Sequence, residues 1–457
     1  MNLDLSIFIQ LYTILSSQIR THIHNMTSQP LPNPNYDEEV DFQALAMTDP
    51  DFAKFYDDAN GHVNFQDPKA LQQLTKSVLK RDFNLELELP DDRLCPPVPV
   101  RYNYLRWLQE LLDSTDDSED LEKKDIIGLD IGIGASCIYS LLACSLRPTW
   151  KMLGTDIDPS NFNNANDNIK RNGLESRIST KLNVAEDALI NPKAFGVDKL
   201  DFTMCNPPFY SSAEDMAVSS AGKNGAPSAV CTGAEVEMIC EGGDAGFVLR
   251  MVEESIELGN TVRWYTNMLG KLSSVHQVID RLKESGVTNW AVTLLRAGNK
   301  TRRWAVGWSF GDRRPSNAIA RGSDVGTHIL PYPTAQTIHT IGFTRSEAAD
   351  LLNKTLKQLD LQWSWNAEKW LGRGVANQNV WSRSARRKRK RVEMEQEEGQ
   401  ESKPEPEAPK KKESADVALE FDIEVKEGDM EVRWRQGKDN ILFESFCGML
   451  KRAMKQK

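Results

Sequence analysis

Residues 125–146 read DIIGLDIGIGASCIYSLLACSL, and this stretch decides the fold. It opens with an apolar run typical of a buried strand, turns at Gly132 and Gly134, and continues as an apolar helical pattern. A strand, a glycine-bearing turn and a helix N-terminus bring backbone N–H groups close to a ligand. Residue 137 is Cys, so the loop is not the complete G-x-G-x-x-G fingerprint and a pyrophosphate is not demanded.

A second predicted strand, Lys151–Gly154, follows that helix and runs into Thr155-Asp156-Ile157-Asp158. An acidic residue at the end of the second strand of an α/β fold is placed to accept hydrogen bonds from both ribose hydroxyls of a nucleoside. We assign this role to Asp156, because Asp158 stands at the N-cap of the next predicted helix. The alternative is that Asp156 also only caps that helix.

The third decisive stretch is Asn206-Pro207-Pro208-Phe209, at the end of the predicted strand Leu200–Cys205. The Asn206 amide oxygen and the Pro207 carbonyl can each accept one N–H of a planar amine, which localises the nitrogen lone pair toward an incoming methyl group. Phe209 offers a ring face on which a base can stack. We therefore predict Asn206, Pro207 and Phe209 as catalytic residues, with Asn206 also bordering the cofactor. The alternative is that Asn-Pro-Pro is only a turn after a strand.

These three stretches, in this order, resemble the class I S-adenosylmethionine-dependent methyltransferases that modify amino groups. Within that class the chain resembles the methyltransferase-like protein 16 family, the adenine-N6 methyltransferases of U6 small nuclear RNA, and its bacterial relatives acting on 23S ribosomal RNA. The resemblance covers residues 41–310, and its most restrictive parts are Val98–Tyr104 (VPVRYNY) and Trp264–Lys271 (WYTNMLGK). It implies a Rossmann-like α/β domain, S-adenosyl-L-methionine as cofactor and a structured RNA, U6 small nuclear RNA above all, as partner.

The resemblance also implies cofactor-binding residues. It places Gly132 and Gly134 in the cofactor loop, and Arg101 where its guanidinium can pair with the methionine carboxylate. The loop before the catalytic strand carries Ala185-Glu186-Asp187 where some relatives have a lysine that occupies the cofactor site. A gating role of that loop is therefore not carried over, whereas Glu186 or Asp187 can meet the adenine end of the cofactor.

Predicted RNA contacts lie on two walls of the adenine pocket. By resemblance, Asn64 and Arg93 belong to one wall, and Lys300 and Arg303 to the other; the alternatives are a turn asparagine and solvated cations. The net charge of −10 does not by itself favour RNA, but residues 260–314 hold ten Lys or Arg against three Asp or Glu. Such a cluster is the electrostatic footprint of phosphate binding, with an ordinary solvated face as the alternative.

The length of 457 residues predicts more than one folding unit. The predicted division is a disordered extension 1–40, an N-terminal RNA-binding module 41–112, the methyltransferase core 113–314, the C-terminal part of the catalytic domain 315–380, a charged linker 381–416 and a small ββα module 417–457. That last α+β module is expected, by resemblance, to grip structured RNA. Ser211–Ser228 is rich in Ser, Gly and Ala and is expected to order over a flipped base, with a plain disordered insertion as the alternative.

Basic residues in Ser384–Arg391 (SARRKRKR) match a nuclear-localisation cluster, which predicts a nuclear protein, with the cytoplasm left open. An RNA-binding tail is the alternative interpretation of this cluster.

Other chemistries find little support in the sequence. The six His lack metal-binding spacing, and the seven Cys are scattered without a C-x-x-C pair, so we expect no metal and reduced thiols. The apolar run Leu3–Leu15 is too short to span a bilayer, so no membrane partner is expected. A protein glutamine methyltransferase, which shares an Asn-Pro-Pro motif, and a non-catalytic RNA scaffold remain the alternative functions. The oligomeric state is not indicated.

Overall fold

The computed structural model describes residues 34–36, 40–57, 60–118, 124–221, 232–297, 301–385, 387, 391 and 417–455. The helices in this part of the chain are α1 (Phe42–Thr48), α2 (Pro50–Ala53), α3 (Pro68–Phe83), α4 (Val98–Ser114), α5 (Ile138–Leu146), α6 (Pro159–Arg171), α7 (Ala213–Ala221), α8 (Glu235–Met238), α9 (Gly243–Leu258), α10 (Leu272–Glu284), α11 (Asn317–Ala320), α12 (Arg345–Lys357) and α13 (Asn440–Ala453).

Strands in the same residues form three sheets. They are β1 (Tyr56–Asp57), β2 (His62–Val63), β3 (Ile126–Ile131), β4 (Trp150–Asp156), β5 (Ile178–Leu182), β6 (Leu200–Cys205), β7 (Val262–Leu269), β8 (Trp290–Ala297), β9 (Thr301–Trp308), β10 (Arg321–Gly322), β11 (Ala335–His339), β12 (Gln362–Asn366), β13 (Leu371–Ala376), β14 (Leu419–Val425) and β15 (Asp429–Gln436).

The largest sheet has eight strands in the order β10-β8-β9-β7-β6-β3-β4-β5. Strands β5, β4, β3, β6 and β7 are parallel, and β9 inserts antiparallel between β7 and β8. Buried residues form two separate clusters, one containing α3–α5 and the other containing α9 and α10, so helices cover both faces of the sheet. This doubly covered, mostly parallel sheet is the predicted Rossmann-like α/β fold, and it explains why its strands are nearly continuous apolar runs.

The N-terminal elements are those the sequence predicts, but they share the core of the catalytic domain. Phe52 and Val63 are fully buried in one cluster with Met204 of the catalytic strand and Trp264 of β7. The predicted boundary between residues 112 and 113 falls inside α4, which packs on the sheet. The division there is therefore corrected, because apolar burial joins the two segments into one unit.

The C-terminal division also needs correction. The predicted hairpin and helix of residues 417–457 are present as β14, β15 and α13, yet they do not form a separate ββα module. They complete a five-stranded sheet in the order β11-β15-β14-β13-β12, so strands from the expected catalytic segment 315–380 pair directly with them. Helices α12 and α13 pack together over the buried face of this sheet.

This sheet is joined to the catalytic domain through Arg314. Its guanidinium is 4.4 Å from the Trp434 ring centre and donates to the carbonyl oxygens of Thr288 at 2.6 Å and Gly437 at 2.9 Å. Beside it, Asp117 accepts charge-assisted hydrogen bonds or ion pairs from arginines of both units, including Arg435 at 2.7 Å. A buried cation with several acceptors is strongly held, so the two units are docked.

Ser211–Ser228 begins as helix α7, and residues 222–231 lie outside the described part of the chain. The expected ordering over a base is therefore not tested. No helix among the described residues is long and apolar enough to cross a bilayer.

Candidate active site

The glycine turn after β3 forms the floor of a cavity of about 410 Å³. Gly132 and Gly134 both have left-handed backbone angles, with φ of 72° and 63°, which is why glycine is required at these two positions. The N–H groups of Gly132 and Ile133 donate to the Thr155 carbonyl at 2.9 and 2.8 Å, which ties the turn to β4. A Cβ on Gly132 would meet no atom within 4 Å, so its backbone faces open space.

Asp156 ends β4 at the rim of this cavity, as predicted. One carboxylate oxygen accepts from the Gly134 N–H at 2.9 Å and the other from the Asp158 N–H at 2.9 Å. Burial raises the pKa of the Asp156 carboxyl above its usual value. Asp158 is the N-cap of α6, so the alternative in which Asp156 is that helix cap is not what the structure shows. Ribose binding by Asp156 stays a prediction.

The loop after β5 forms the outer wall of the cavity, through Ala185 and Asp187. The prediction that Glu186 binds the cofactor is corrected, because Glu186 is exposed and does not line the cavity, whereas its neighbour Asp187 does. Residues 184–187 form a turn, closed by a hydrogen bond from the Asp187 N–H to the Val184 carbonyl at 3.1 Å, and Glu186 lies on the side of this turn that faces away from the cavity.

The residues that hold this loop, Arg250 and Glu254, were not predicted from the sequence. Arg250 of α9 also lines the cavity, and its guanidinium donates to the carbonyl oxygens of Ala185 at 3.3 Å and Asp187 at 2.5 Å. Glu254, one turn further along α9, accepts from the N–H groups of Leu189 at 3.1 Å and Ile190 at 3.0 Å. The only sequence signal was an i, i+4 Arg–Glu pair, which is common on exposed helices.

Asn206 stands where β6 ends, and its side chain borders the same cavity. Its Oδ1 accepts a hydrogen bond from Nη1 of Arg101 at 2.9 Å. Arg101 comes from the first turn of α4, is only 5% exposed, and lines the cavity beside Gly132 and Asp156. The structure therefore brings together all the predicted cofactor residues except Glu186.

Phe209 does not line the cavity, although its neighbour Pro208 does, and Pro207 is buried. The Phe209 ring packs against Gly270, where a Cβ would come within 2.9 Å of ring carbon Cδ1. The Arg303 guanidinium carbon is 4.9 Å from the ring centre. Burial, and then the charge of Arg101, lower the pKa of Arg303. An aromatic ring, a guanidinium and an amide oxygen thus meet at one edge of the sheet.

The other predicted RNA contacts are placed differently. Arg93 is largely buried and pairs with Asp92 at 2.9 Å and Asp158 at 3.5 Å, so its charge is used within the fold. Asn64 is exposed and closes a turn by accepting from the Gln66 N–H at 3.0 Å, which is the turn interpretation. Lys300 lies outside the described residues. RNA contact by any of them stays a prediction.

Structural pairing accounts for much of the predicted basic wall. Arg263 pairs with Asp116 at 2.8 Å, Arg281 pairs with Glu253 at 2.6 Å, and Arg314 belongs to the joint with the C-terminal sheet. Arg296 and Arg302 remain exposed near the tip of the β8–β9 hairpin. The antiparallel register places this tip at the same edge of the sheet as Asn206. The exposed basic surface is therefore narrower than the sequence count indicates, and phosphate binding there stays a prediction.

In the part of the chain that the structure describes, no group of three or more His, Cys, Asp or Glu is arranged to hold a metal ion. The six Cys in those residues are free thiols.

Comparison with known proteins shows the family. A family model described as RNA methyltransferase matches residues 26–312. The chain is 36% identical over 398 residues to the U6 small nuclear RNA (adenine-(43)-N(6))-methyltransferase of Schizosaccharomyces pombe, covering 87% of this chain and 96% of that protein.

Solved structures of a human protein are also similar. The human METTL16 catalytic domain in complex with the MAT2A 3'UTR hairpin 1 is 36% identical with a TM-score of 0.54, over 62% of this chain and 96% of that chain. The N-terminal domain of human METTL16 in complex with SAH is 34% identical with a TM-score of 0.50, over 60% of this chain and 96% of that chain. With this fold and this site, the chain belongs to the RNA methyltransferase family.

Proposed function

We propose that this chain transfers a methyl group from S-adenosyl-L-methionine to N6 of an unpaired adenine in a structured RNA, and that U6 small nuclear RNA is its substrate. The observation that carries the proposal is the position of Asn206, whose amide borders the cavity while Phe209 and Arg303 lie just beyond it. The name of the Schizosaccharomyces pombe relative supports U6 small nuclear RNA, and the adenine corresponding to its position 43, as the target.

The cavity suits S-adenosyl-L-methionine in size and in lining. Its volume of about 410 Å³ falls within the range of small-molecule sites. Gly132 leaves open space where a side chain would stand, Asp156 offers carboxylate oxygens for ribose hydroxyls, and Arg101 brings a cation. When bound, S-adenosyl-L-methionine supplies a methyl group activated by a positively charged sulfur. The complex of the human relative with SAH supports this choice of ligand.

Asn206 performs the task that a weakly nucleophilic amine requires. The lone pair of the adenine N6 is delocalised into the ring, and two acceptors on its N–H bonds favour the geometry in which the lone pair is localised. The Asn206 Oδ1 is one acceptor and the Pro207 carbonyl is the other. Acceptors in a largely buried site act without reorganisation of water, so a strong base is unnecessary.

Phe209 and Arg303 suit a base that has left its helix. Unpaired bases are recognised by stacking on aromatic rings and guanidinium planes, and phosphates by cations such as Arg296 and Arg302 at the neighbouring hairpin tip. A carboxamide side chain of a protein substrate needs neither the stacking ring nor the cations. This difference favours RNA over a protein glutamine substrate.

Methyl transfer from labelled S-adenosyl-L-methionine tests the proposal. A U6 transcript should be labelled at the adenine that corresponds to position 43 of the relative's substrate, and the same transcript with guanine at that position should not. Asn206→Ala should lower kcat by about 10²–10³-fold, the scale for loss of one oriented hydrogen-bonding group, with SAH affinity nearly unchanged. Labelling of a Gly-Gly-Gln peptide but not RNA would replace the proposal with the glutamine methyltransferase. RNA binding without any transfer would replace it with the scaffold.

We also propose that the protein works in the nucleus. The basic cluster within Ser384–Arg391 supports this, although most of that cluster lies outside the described residues. A fluorescent fusion should accumulate in nuclei, and replacing the cluster's Lys and Arg by Ala should release it to the cytoplasm. Unchanged nuclear accumulation of the substituted fusion would favour the RNA-binding tail instead.

A further inference from the structure

The pairing of Arg101 with Asn206 assigns a role to Arg101 beyond cofactor binding. We infer that Arg101 is a positioning residue that fixes the orientation of the Asn206 amide, so that Oδ1 rather than Nδ2 faces the amine of the substrate. This inference rests on the proposed function, because it concerns the same transfer step.

Arg101 is held in place by three acceptors. Its Nη1 donates to Asn206 Oδ1 at 2.9 Å, to the Tyr139 hydroxyl at 3.0 Å and to the Met268 sulfur at 3.6 Å. Tyr139 and Met268 are both buried, so these contacts leave the guanidinium little freedom. The three partners come from α5, β6's end and β7, which makes Arg101 the point where the elements around the reacting atoms meet.

The chemistry of the two side chains fixes the direction of the amide. A guanidinium has only donors, so the atom of Asn206 that faces Arg101 must be the oxygen. A carboxamide oxygen has two lone pairs, and Arg101 uses one of them. The second is left for an N–H of the substrate. A flipped amide would present donors to Arg101 and to the substrate amine alike, which removes both hydrogen bonds.

Arg101 can have two separate roles at this position. Pairing with the methionine carboxylate, the role implied by resemblance, contributes to cofactor affinity. Orientation of Asn206 contributes to the rate of transfer after both ligands are bound, because the acceptor acts only on the reacting nitrogen. A guanidinium has five N–H donors, so the two roles are compatible but have different kinetic consequences.

The test is a double-mutant cycle measured at saturating S-adenosyl-L-methionine and RNA. Arg101→Met should lower kcat about 10- to 100-fold, as expected for a lost charge-assisted hydrogen bond. In the Asn206→Ala background the same change should lower kcat less than about threefold, because Arg101 then has no acceptor to orient. Multiplicative losses in the double variant would overturn the inference. So would an Arg101→Met variant with normal kcat and only weakened SAH binding.

Three further variants keep the test interpretable. Tyr139→Phe removes one acceptor of the same Nη1 without changing charge, and should lower kcat a few-fold with SAH affinity unchanged. If Arg101→Met does not fold, Arg101→Lys replaces it in the cycle. A normal kcat in Tyr139→Phe, together with multiplicative losses from Arg101→Lys and Asn206→Ala, would then also overturn the inference. Arg281→Met is the matched control, since Arg281 of α10 pairs with Glu253 of α9 and does not line the cavity. A wild-type protein that binds SAH but labels no RNA would refute the proposed function, and would leave the orientation of Asn206 to be tested separately. A crystal structure of Arg101→Met that resolves the amide oxygen from the amide nitrogen provides that test. A flipped Asn206 amide in this variant is expected, and an unchanged amide would overturn the inference.

Discussion

Gly270→Ala is the smallest change that should disturb the stacking ring. A Cβ at this position would lie 2.9 Å from Cδ1 and 3.3 Å from Cε1 of Phe209. Carbon atoms in contact are about 3.5–4.0 Å apart, so either the backbone of Gly270 or the ring must move by about 0.6–1 Å. The backbone is fixed, because the Gly270 N–H donates to the buried carboxylate of Asp244 at 2.7 Å. The other oxygen of that carboxylate is held by Ser274 at 2.7 Å.

The ring is therefore the part that moves, away from Gly270, and this displaces the surface on which we propose the adenine stacks. A displacement of about 1 Å at a reacting centre can cost about 10²-fold in rate. We expect kcat/KM for RNA to fall about 10- to 100-fold in Gly270→Ala, while SAH affinity stays within about twofold, because Gly270 does not line the cofactor cavity.

The assay is the initial rate of methyl transfer over a series of RNA concentrations, with SAH binding measured by calorimetry. Gly448→Ala in α13 is a matched control for Tm and for SAH affinity, since its Cβ would meet only the Arg452 side chain at an ordinary 3.6 Å. An unchanged kcat/KM in Gly270→Ala would refute the assignment of Phe209 as the stacking ring.

Two other predictions concern charge. Burial raises the pKa of Asp130 to about 7, and among the described residues its Oδ1 has no hydrogen-bond partner. The folded protein then holds this proton more tightly than the unfolded chain, so this group's contribution to stability falls as pH rises from about 4 to about 7. Asp130→Asn should therefore raise Tm more at pH 8 than at pH 5, and an equal change at both pH values would contradict the shifted pKa. Separately, changing the exposed Lys451 and Arg452 of α13, and Lys455 just after it, to Glu should weaken binding to full-length RNA and reduce its salt slope by about one unit per lost phosphate contact, with kcat at saturation unchanged. An unaltered salt slope would argue against phosphate contact by this helix.

Local signals in the sequence were enough to predict the strands that carry the site. The limits of β6 are those predicted, and Asp158 caps α6 as predicted. Both signals are local: an apolar run that ends at a Pro pair marks the strand, and an Asp directly before a Pro marks the start of the helix. The contacts that organise the site are not local. Arg101 and Asn206 are 105 positions apart, and Arg250 reaches the carbonyl of Asp187 across 63 positions. A single sequence contains no signal for such pairs, because nothing within a few residues of Arg101 or Arg250 indicates its distant partner.

The C-terminal sheet shows the same limit on a larger scale. Charge and Pro content mark residues 381–416 as a boundary, and that interpretation separates β13 from its pairing partner β14. In the structure β14 and β15 lie next to each other inside the sheet, between β13 on one side and β11 on the other. Cutting the chain after Trp381 would remove β14, β15 and α13, and would expose the apolar face on which Trp381 is buried. The same cut would remove Gly437, an acceptor of Arg314, and so would also disturb the catalytic domain. Surface substitutions on α13 therefore test RNA binding, whereas a truncation would test folding.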